Sequence, residues 1–423
     1  MLPLLDITII AITGLAPLFA MTVGGGSAIF YVLLLCCLLV CCLREGGWRA
    51  SLHSLRPYRG TIAALFVVLG AIVISLIAHG SMHGPSLERG VRVSLGFPIF
   101  LAAMLGIDRV RLRQAFWGVV LAGLASAAIV FWLAFPSFAR PDTPQHNAVT
   151  YGNLMLLFLV LVAYGTGWRF TAAHRFESGF KIVAAAVIFV AFILTQTRTG
   201  WMAIPLFVVI GLWLFAKVKH PVKMFAALGV ACALLVALGS TSEALRARVT
   251  QGMQEAEACQ GAGATADTSV CIRLQLWRAS RQMIEEHPLF GLGNTQRFMP
   301  ELEARVATGV VSPFVSQNFG EPHNDMLHML TSYGVLGGVA LILLYGAPAV
   351  VFFRRLGAAH PREVRVAAAM GLALTLGFAV FGLTELMFRT MKTLGLYVIL
   401  VAWLLALSDG GNAAAPLRTR ERR

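Results

Sequence analysis

Long apolar runs, separated by short polar breaks, recur along almost the whole chain. They fall at 4–21, 27–43, 61–78, 93–107, 116–135, 150–165, 182–194, 201–216, 224–239, 326–353, 366–386 and 394–407. Neither the alternation of a half-buried strand nor the single stripe of a surface helix fits such runs, so they predict about twelve transmembrane helices. Several are shorter than the roughly 20 residues that cross a bilayer, so their ends must extend into flanking polar sequence. The run 93–107 is the weakest, being short and containing Pro98.

The breaks between runs define the organisation. Residues 1–239 carry nine predicted spans, 240–322 form one long hydrophilic segment, 323–408 carry three more spans, and 409–423 form a basic tail. Within the hydrophilic segment, 242–253 and 273–286 are predicted helical, the second with Leu276, Trp277 and Met283 at apolar positions. Residues 260–264 read as a flexible linker. The fold class is therefore an all-α polytopic membrane protein with a largely helical extramembrane loop.

Composition agrees. With 58% hydrophobic and 13% charged residues and a mean hydropathy of +0.76, the chain holds more apolar surface than one soluble core could bury. The net charge of +14 would suggest nucleic acid in a soluble protein, but here its placement matters more. The loops with Arg44, Arg49, Arg56 and Arg59; Arg109, Arg111 and Arg113; Arg169, Arg175 and Lys181; Lys217, Lys219 and Lys223; and Arg354, Arg355, Arg362 and Arg365 share one predicted face with the tail Arg418, Arg420, Arg422 and Arg423. By the positive-inside rule that face is cytoplasmic, with both termini on it, and no nucleic-acid partner is needed. The first run lacks a basic leader and a small-residue cleavage site, so no cleavable signal peptide is expected.

Five cysteines, Cys36, Cys37, Cys41, Cys42 and Cys232, lie in apolar runs and read as small buried hydrophobes. Cys259 and Cys271 fall in the outside segment, either as two thiols or as a disulfide that adds on the order of 3 kcal/mol. No His or Cys set at ligand spacing accompanies them, so no metal site is expected there.

The candidate chemistry sits at the edge of the tenth run. In Glu321-Pro322-His323-Asn324-Asp325, His323 is expected at the first helical turn with Asn324 or Asp325 as caps. A helix N-terminus disfavours an imidazolium, so His323 is expected to accept a proton. Read alone, it could equally decorate a membrane interface. Arg198, in a very short turn between the seventh and eighth runs, is held at the bilayer boundary, where a charge is costly. Arg273 opens Arg273-x-x-x-Trp277, which leads to Pro288-Leu289-x-Gly291-x-Gly293. Arg89 and Arg92 beside Glu88, and Arg389 and Lys392 beside Glu385, are further outside-facing candidates for anionic groups, or simple interface anchors. His79 and His83 are too poorly spaced in a Gly-rich loop to argue for a metal. Gly334, Gly337 and Gly338 are read as allowing close helix packing.

The ordered set of the Arg198 turn, Arg273-x-x-x-Trp277 closing on Pro288-Leu289-x-Gly291-x-Gly293, and His323-Asn324 followed by Gly334-x-x-Gly337 resembles the O-antigen ligase family of bacterial envelope glycosyltransferases. The resemblance runs from Arg198 to Gly337, while the first 150 residues match in hydropathy only. It implies a glycosyltransferase C-like membrane fold in the bacterial inner membrane and an active site on the periplasmic side. It further implies transfer of a glycan from undecaprenyl pyrophosphate to the outer-core sugar of lipid A-core, without a metal cofactor and with inversion. Carried over by motif position, His323 would be the general base and Arg198 and Arg273 would hold the donor pyrophosphate, with Asn324 orienting. An O-antigen polymerase or a protein O-oligosaccharyltransferase would share these motifs. A glycan flippase would instead need charges along its spans, and Asp6 is the only clear acid within one.

Overall fold

A computed structural model describes residues 1–136, 140–216, 265–357 and 359–410, with isolated positions between 226 and 259. Among the described residues every regular element is a helix. Helices α1 (Leu2–Met21) and α2 (Gly26–Leu43) are followed by a short helix, α3 (Gly47–Ser54), and by α4 (Arg59–Ala78). The weak run around Pro98 reaches spanning length by recruiting residues before it. Helix α5 (Gly84–Val91) continues through a π-helical turn, Arg92–Gly96, into α6 (Phe97–Leu105). The wider turn accommodates Pro98, which cannot donate to the carbonyl four residues back.

Next come α7 (Arg109–Ala134), α8 (Ala148–Gly167), α9 (His174–Leu194) and the shorter α10 (Thr199–Phe215). Three helices, α11 (Ser269–Glu286), α12 (Phe298–Ala304) and α13 (Pro313–Asn318), build the extramembrane cap. The chain then returns through α14 (Asp325–Arg355), α15 (Arg362–Phe381) and α16 (Met391–Ser408). Among the described residues nine helices are long and apolar enough to cross a membrane, where the sequence predicts twelve. Two of the other three runs are helical, one divided by the π turn and one short. The remaining run, 224–239, lies outside the described residues, as do Lys217, Lys219, Lys223, Cys232, most of 242–253, the linker 260–264 and the tail arginines. The protein is a multi-pass membrane protein.

The described basic loops meet at one end of the bundle. Arg44 donates to the Ala103 carbonyl at 2.8 Å and pairs with Asp6 at 3.0 Å. Arg113 donates to the Arg169 carbonyl at 2.9 Å, and Arg355 joins Tyr58 at 2.9 Å and the Leu405 carbonyl at 3.1 Å. One member departs from the solvated-loop expectation. Lys181 is fully buried inside α9, where Nζ donates to the carbonyls of Gly165 at 3.0 Å and Trp168 at 3.1 Å, faces Glu177, and lies 4.5 Å from the Phe170 ring centroid. A buried ammonium survives only with such partners.

The opposite end carries the cap, which has its own small apolar core of Leu276, Ala279, Met283, Leu292, Phe298 and Leu302. Burying each of these larger side chains contributes about 1.5–3 kcal/mol. Cys259 and Cys271 are joined by a disulfide, Cα atoms 5.3 Å apart, which ties the first turn of α11 to the segment before it.

Candidate active site

Two glycine motifs distant in sequence form one joint. Helix α14 is interrupted at Gly334, whose φ of 64° and ψ of −157° are open essentially to glycine alone. The strap 288–293 takes up backbone groups around that break. Val335 N–H donates to the Pro288 carbonyl at 2.9 Å, Leu292 N–H to Thr331 at 2.8 Å, and Gly293 N–H to Ser332 at 3.0 Å. A Cβ on Gly334 would lie 2.2 Å from the Leu289 carbonyl oxygen, and one on Gly291 would lie 2.5 Å from the Tyr333 nitrogen. Ser75 Oγ donates to the Phe290 carbonyl at 2.5 Å, fixing the strap to α4. Gly334 is therefore not a helix-packing residue, as its spacing suggests, but the point where the cap enters the bundle.

The first turn of α14 organises the loop that faces it. Asn324 is the N-cap, accepting from Leu327 N–H at 3.0 Å and donating to the Leu383 carbonyl at 2.8 Å. Asp325, buried, accepts from Tyr345 Oη at 2.7 Å and Met387 N–H at 3.1 Å, and its own N–H donates to Gly382 at 2.8 Å. These bonds hold the turn between α15 and α16, which carries Glu385. That residue falls inside the predicted run 366–386, yet α15 ends at Phe381.

His323 thus precedes the cap instead of occupying the first turn, and its φ of 49° is left-handed. Its Nδ1 lies 3.3 Å from Glu385 Oε1, and its ring meets the edge of Phe319 at 5.7 Å between centroids. A carboxylate opposite Nδ1 selects the tautomer with its proton there and leaves the Nε2 lone pair as acceptor. The carboxylate, not the helix end, orients the imidazole. Burial pushes the Glu385 pKa up, but hydrogen bonds from His323, Asn147 and the Leu386 N–H outweigh it and hold the carboxyl below its usual range. Glu321 moves the other way, because burial exceeds the opposing pull of Arg389 and His323.

Ligand atoms of Glu321, His323 and Glu385 lie within 4.8 Å of one another, close enough to share a cation. Arg389 already supplies positive charge there: its Nη1 is 3.1 Å from Glu321 Oε1, an ion pair without hydrogen-bond alignment. Arg89 Nη2 donates to the Arg389 carbonyl at 3.0 Å, so both arginines border the site. Arg92 does not. It is buried, paired with Glu88 at 2.5 Å and Ser27 at 3.0 Å, and packed between the rings of Phe30 and Tyr31.

The other two arginines lie on segments bonded to the same end. The exposed Arg198 belongs to a turn fastened by Thr197 Oγ1 to the Ala148 carbonyl at 2.9 Å and by Thr199 to Asn153 at 3.1 Å. Asn147, next to Ala148, donates to Glu385 Oε1 at 3.3 Å. Arg273 contacts Ser269 Oγ at 3.2 Å and lies one helical turn before Trp277, whose indole donates to the Pro322 carbonyl at 3.0 Å, immediately before His323. Glu321 and Glu385 were not nominated from sequence, although acids stranded at the mouths of apolar runs were a usable signal.

Beside Glu385 opens a polar cleft of about 470 Å³ whose lining includes Asp142, Thr143, Gln145, Asn147, Arg389 and Thr390. Asp142 and Thr143 also border an apolar groove of about 600 Å³ along Ala128, Ile129, Trp132 and Leu133 of α7.

Fold and site together define a multi-pass membrane protein with a capped polar site, a carboxylate-oriented histidine and several arginines at one end of its bundle. Residues 183–342 match the family model described as O-antigen ligase, a segment that contains Arg198, Arg273, His323 and Gly334. That family is one of glycosyltransferase-like membrane enzymes. The chain is also similar to an uncharacterized protein of Haemophilus influenzae, 20% identical over 308 residues that cover 73% of this chain and 74% of that one.

Proposed function

We propose that the protein is an O-antigen ligase of the bacterial inner membrane, joining glycan from undecaprenyl pyrophosphate to the outer-core sugar of lipid A-core on the periplasmic face. The observation that carries this reading is His323, which is held through Nδ1 by buried Glu385 and lies in the family-matched segment 183–342 with Arg198 and Arg273. In the step, His323 Nε2 accepts the proton of a core hydroxyl while that oxygen bonds to the donor's anomeric carbon. The bond from that carbon to the pyrophosphate oxygen breaks, and polyprenyl pyrophosphate leaves with both electrons. Attack opposite the leaving group inverts the anomeric centre. The leaving group is a stable anion that needs charge stabilisation more than a proton, and guanidiniums supply it bidentately. Arg198 and Arg273 take that role, with Arg89 and Arg389 at the rim. The cytoplasmic face is then the end where the basic loops gather, and the disulfide-bearing cap lies in the oxidising periplasm.

Purified protein supplied with polyprenyl-pyrophosphate glycan and lipid A-core should form the joined glycolipid, and should still do so after chelation of divalent cations. Chain extension of the donor without lipid A-core would instead identify a polymerase. Arg198→Ala and Arg273→Ala are each expected to lower transfer by about a hundred- to a thousandfold, the cost of one lost charge-stabilising donor. Lysine at either position should recover only part of the rate, because it lacks the planar fork. Undiminished transfer by both alanine variants would remove the arginines from the mechanism.

A further inference from the structure

The cleft beside Glu385 is built unlike an anion site. Hydroxyls and amides of Thr143, Gln145, Asn147 and Thr390 dominate its wall, with one carboxylate, Asp142, one guanidinium, Arg389, and the Lys392 ammonium bound behind the wall to Gln145. That guanidinium is already directed at Glu321, 3.1 Å away. His146, also on the wall, adds no charge near neutral pH, because burial brings its pKa down to about 4 while its Nε2 contacts the Ala20 carbonyl at 2.9 Å. Asp142 on the wall would repel a pyrophosphate, but it can accept from sugar hydroxyls. At its inner end the cleft reaches the histidine pair through Asn147, which donates to Glu385 at 3.3 Å. At its outer end it shares Asp142 and Thr143 with the apolar groove of α7, where Trp132 is 83% exposed. Apolar side chains on a membrane-facing helix are ordinary by themselves. A groove that shares two residues with a hydroxyl-lined cleft, whose Asn147 in turn donates to the carboxylate partner of a base, is not.

We infer that this cleft is the acceptor subsite, holding uncharged sugar hydroxyls of a membrane-anchored glycolipid whose acyl chains lie along α7 at Trp132, and presenting one hydroxyl to His323. The inference rests on the ligase reading above and adds which substrate approaches from which side. The donor pyrophosphate then enters from the Arg198 and Arg273 side, so the two lipids reach the histidine without crossing. Asp142 acts by binding, not by chemistry.

The test measures binding as well as turnover, with full-length protein in nanodiscs and two probes, lipid A-core glycolipid and polyprenyl-pyrophosphate glycan. Asp142 is exposed, so Asp142→Leu should fold normally. It is expected to weaken lipid A-core binding about tenfold, as loss of a charged hydrogen-bond acceptor does, and to leave donor binding unchanged. Trp132→Ser should weaken binding of intact lipid A-core severalfold but not that of its delipidated core oligosaccharide. Unchanged glycolipid affinity in both variants, a loss that falls on the donor, or no glycolipid binding by the wild type overturns the inference. Wild-type protein that binds both lipids at these positions yet makes no joined product refutes the ligase reading while leaving the cleft assignment standing.

Discussion

His323→Ala should retain the fold and lose glycan transfer by about a hundred- to ten-thousandfold, the usual contribution of a positioned general base. The fold should persist because the side chain meets the Phe319 edge and Glu385 at the rim of the cap, and Glu385 keeps the Asn147 amide and the Leu386 N–H at 3.2 Å when the imidazole is gone. The loss should appear in the rate with saturating substrates, since a base acts in the transition state and contributes little to binding either lipid. Glu385→Gln provides the companion measurement. The amide can present its NH₂ to Nδ1, which reverses the favoured tautomer and turns Nε2 from acceptor to donor. A rate close to that of His323→Ala would show that the pair acts as a unit. Wild-type turnover by His323→Ala in a purified assay would end the base assignment.

Gly334→Ala is expected to prevent accumulation of folded protein. The observed backbone conformation, φ 64° and ψ −157°, costs a residue with a side chain about 1–3 kcal/mol. The added methyl would meet the Leu289 carbonyl oxygen at 2.2 Å, a backbone atom that cannot rotate away. Withdrawing the strap would forfeit its bonds to Thr331, Ser332 and Val335, each worth about 1 kcal/mol. Together these approach about 5 kcal/mol, a large share of the roughly 5–15 kcal/mol that holds a domain folded. Gly346 in the same helix is the control, because a Cβ there meets nothing within 4 Å. Gly346→Ala should therefore melt at or slightly above the wild-type temperature. Equal melting temperatures for the two variants would show that the strap does not depend on the break in α14.

The spans were legible because lipid demands long apolar runs, and no other constraint acts on so many residues at once. Their ends were less legible. Helix α9 starts at His174, eight residues before the predicted run, because Glu177 and Lys181 satisfy one another inside the bundle. Arg92 was taken for an outside-facing charge because a one-dimensional reading does not reveal that Phe30 and Tyr31 on another helix enclose it. Of the site, His323 and Asn324 were visible as a motif, whereas the Glu385 partner stands 62 residues away and is brought in by a turn whose shape depends on Asp325. Gly334 was noticed and misread for a similar reason. Spacing identifies a small residue but not the sign of its φ.

The strap also sets an order of events during synthesis. The groups that latch residues 288–293 belong to residues 331–335 of the next span, so they leave the ribosome only after the cap helices have been made. A nascent chain must keep its cap unlatched until that span has been made, and the turn that carries Glu385, bonded to Asp325 at the head of the same span, joins later still.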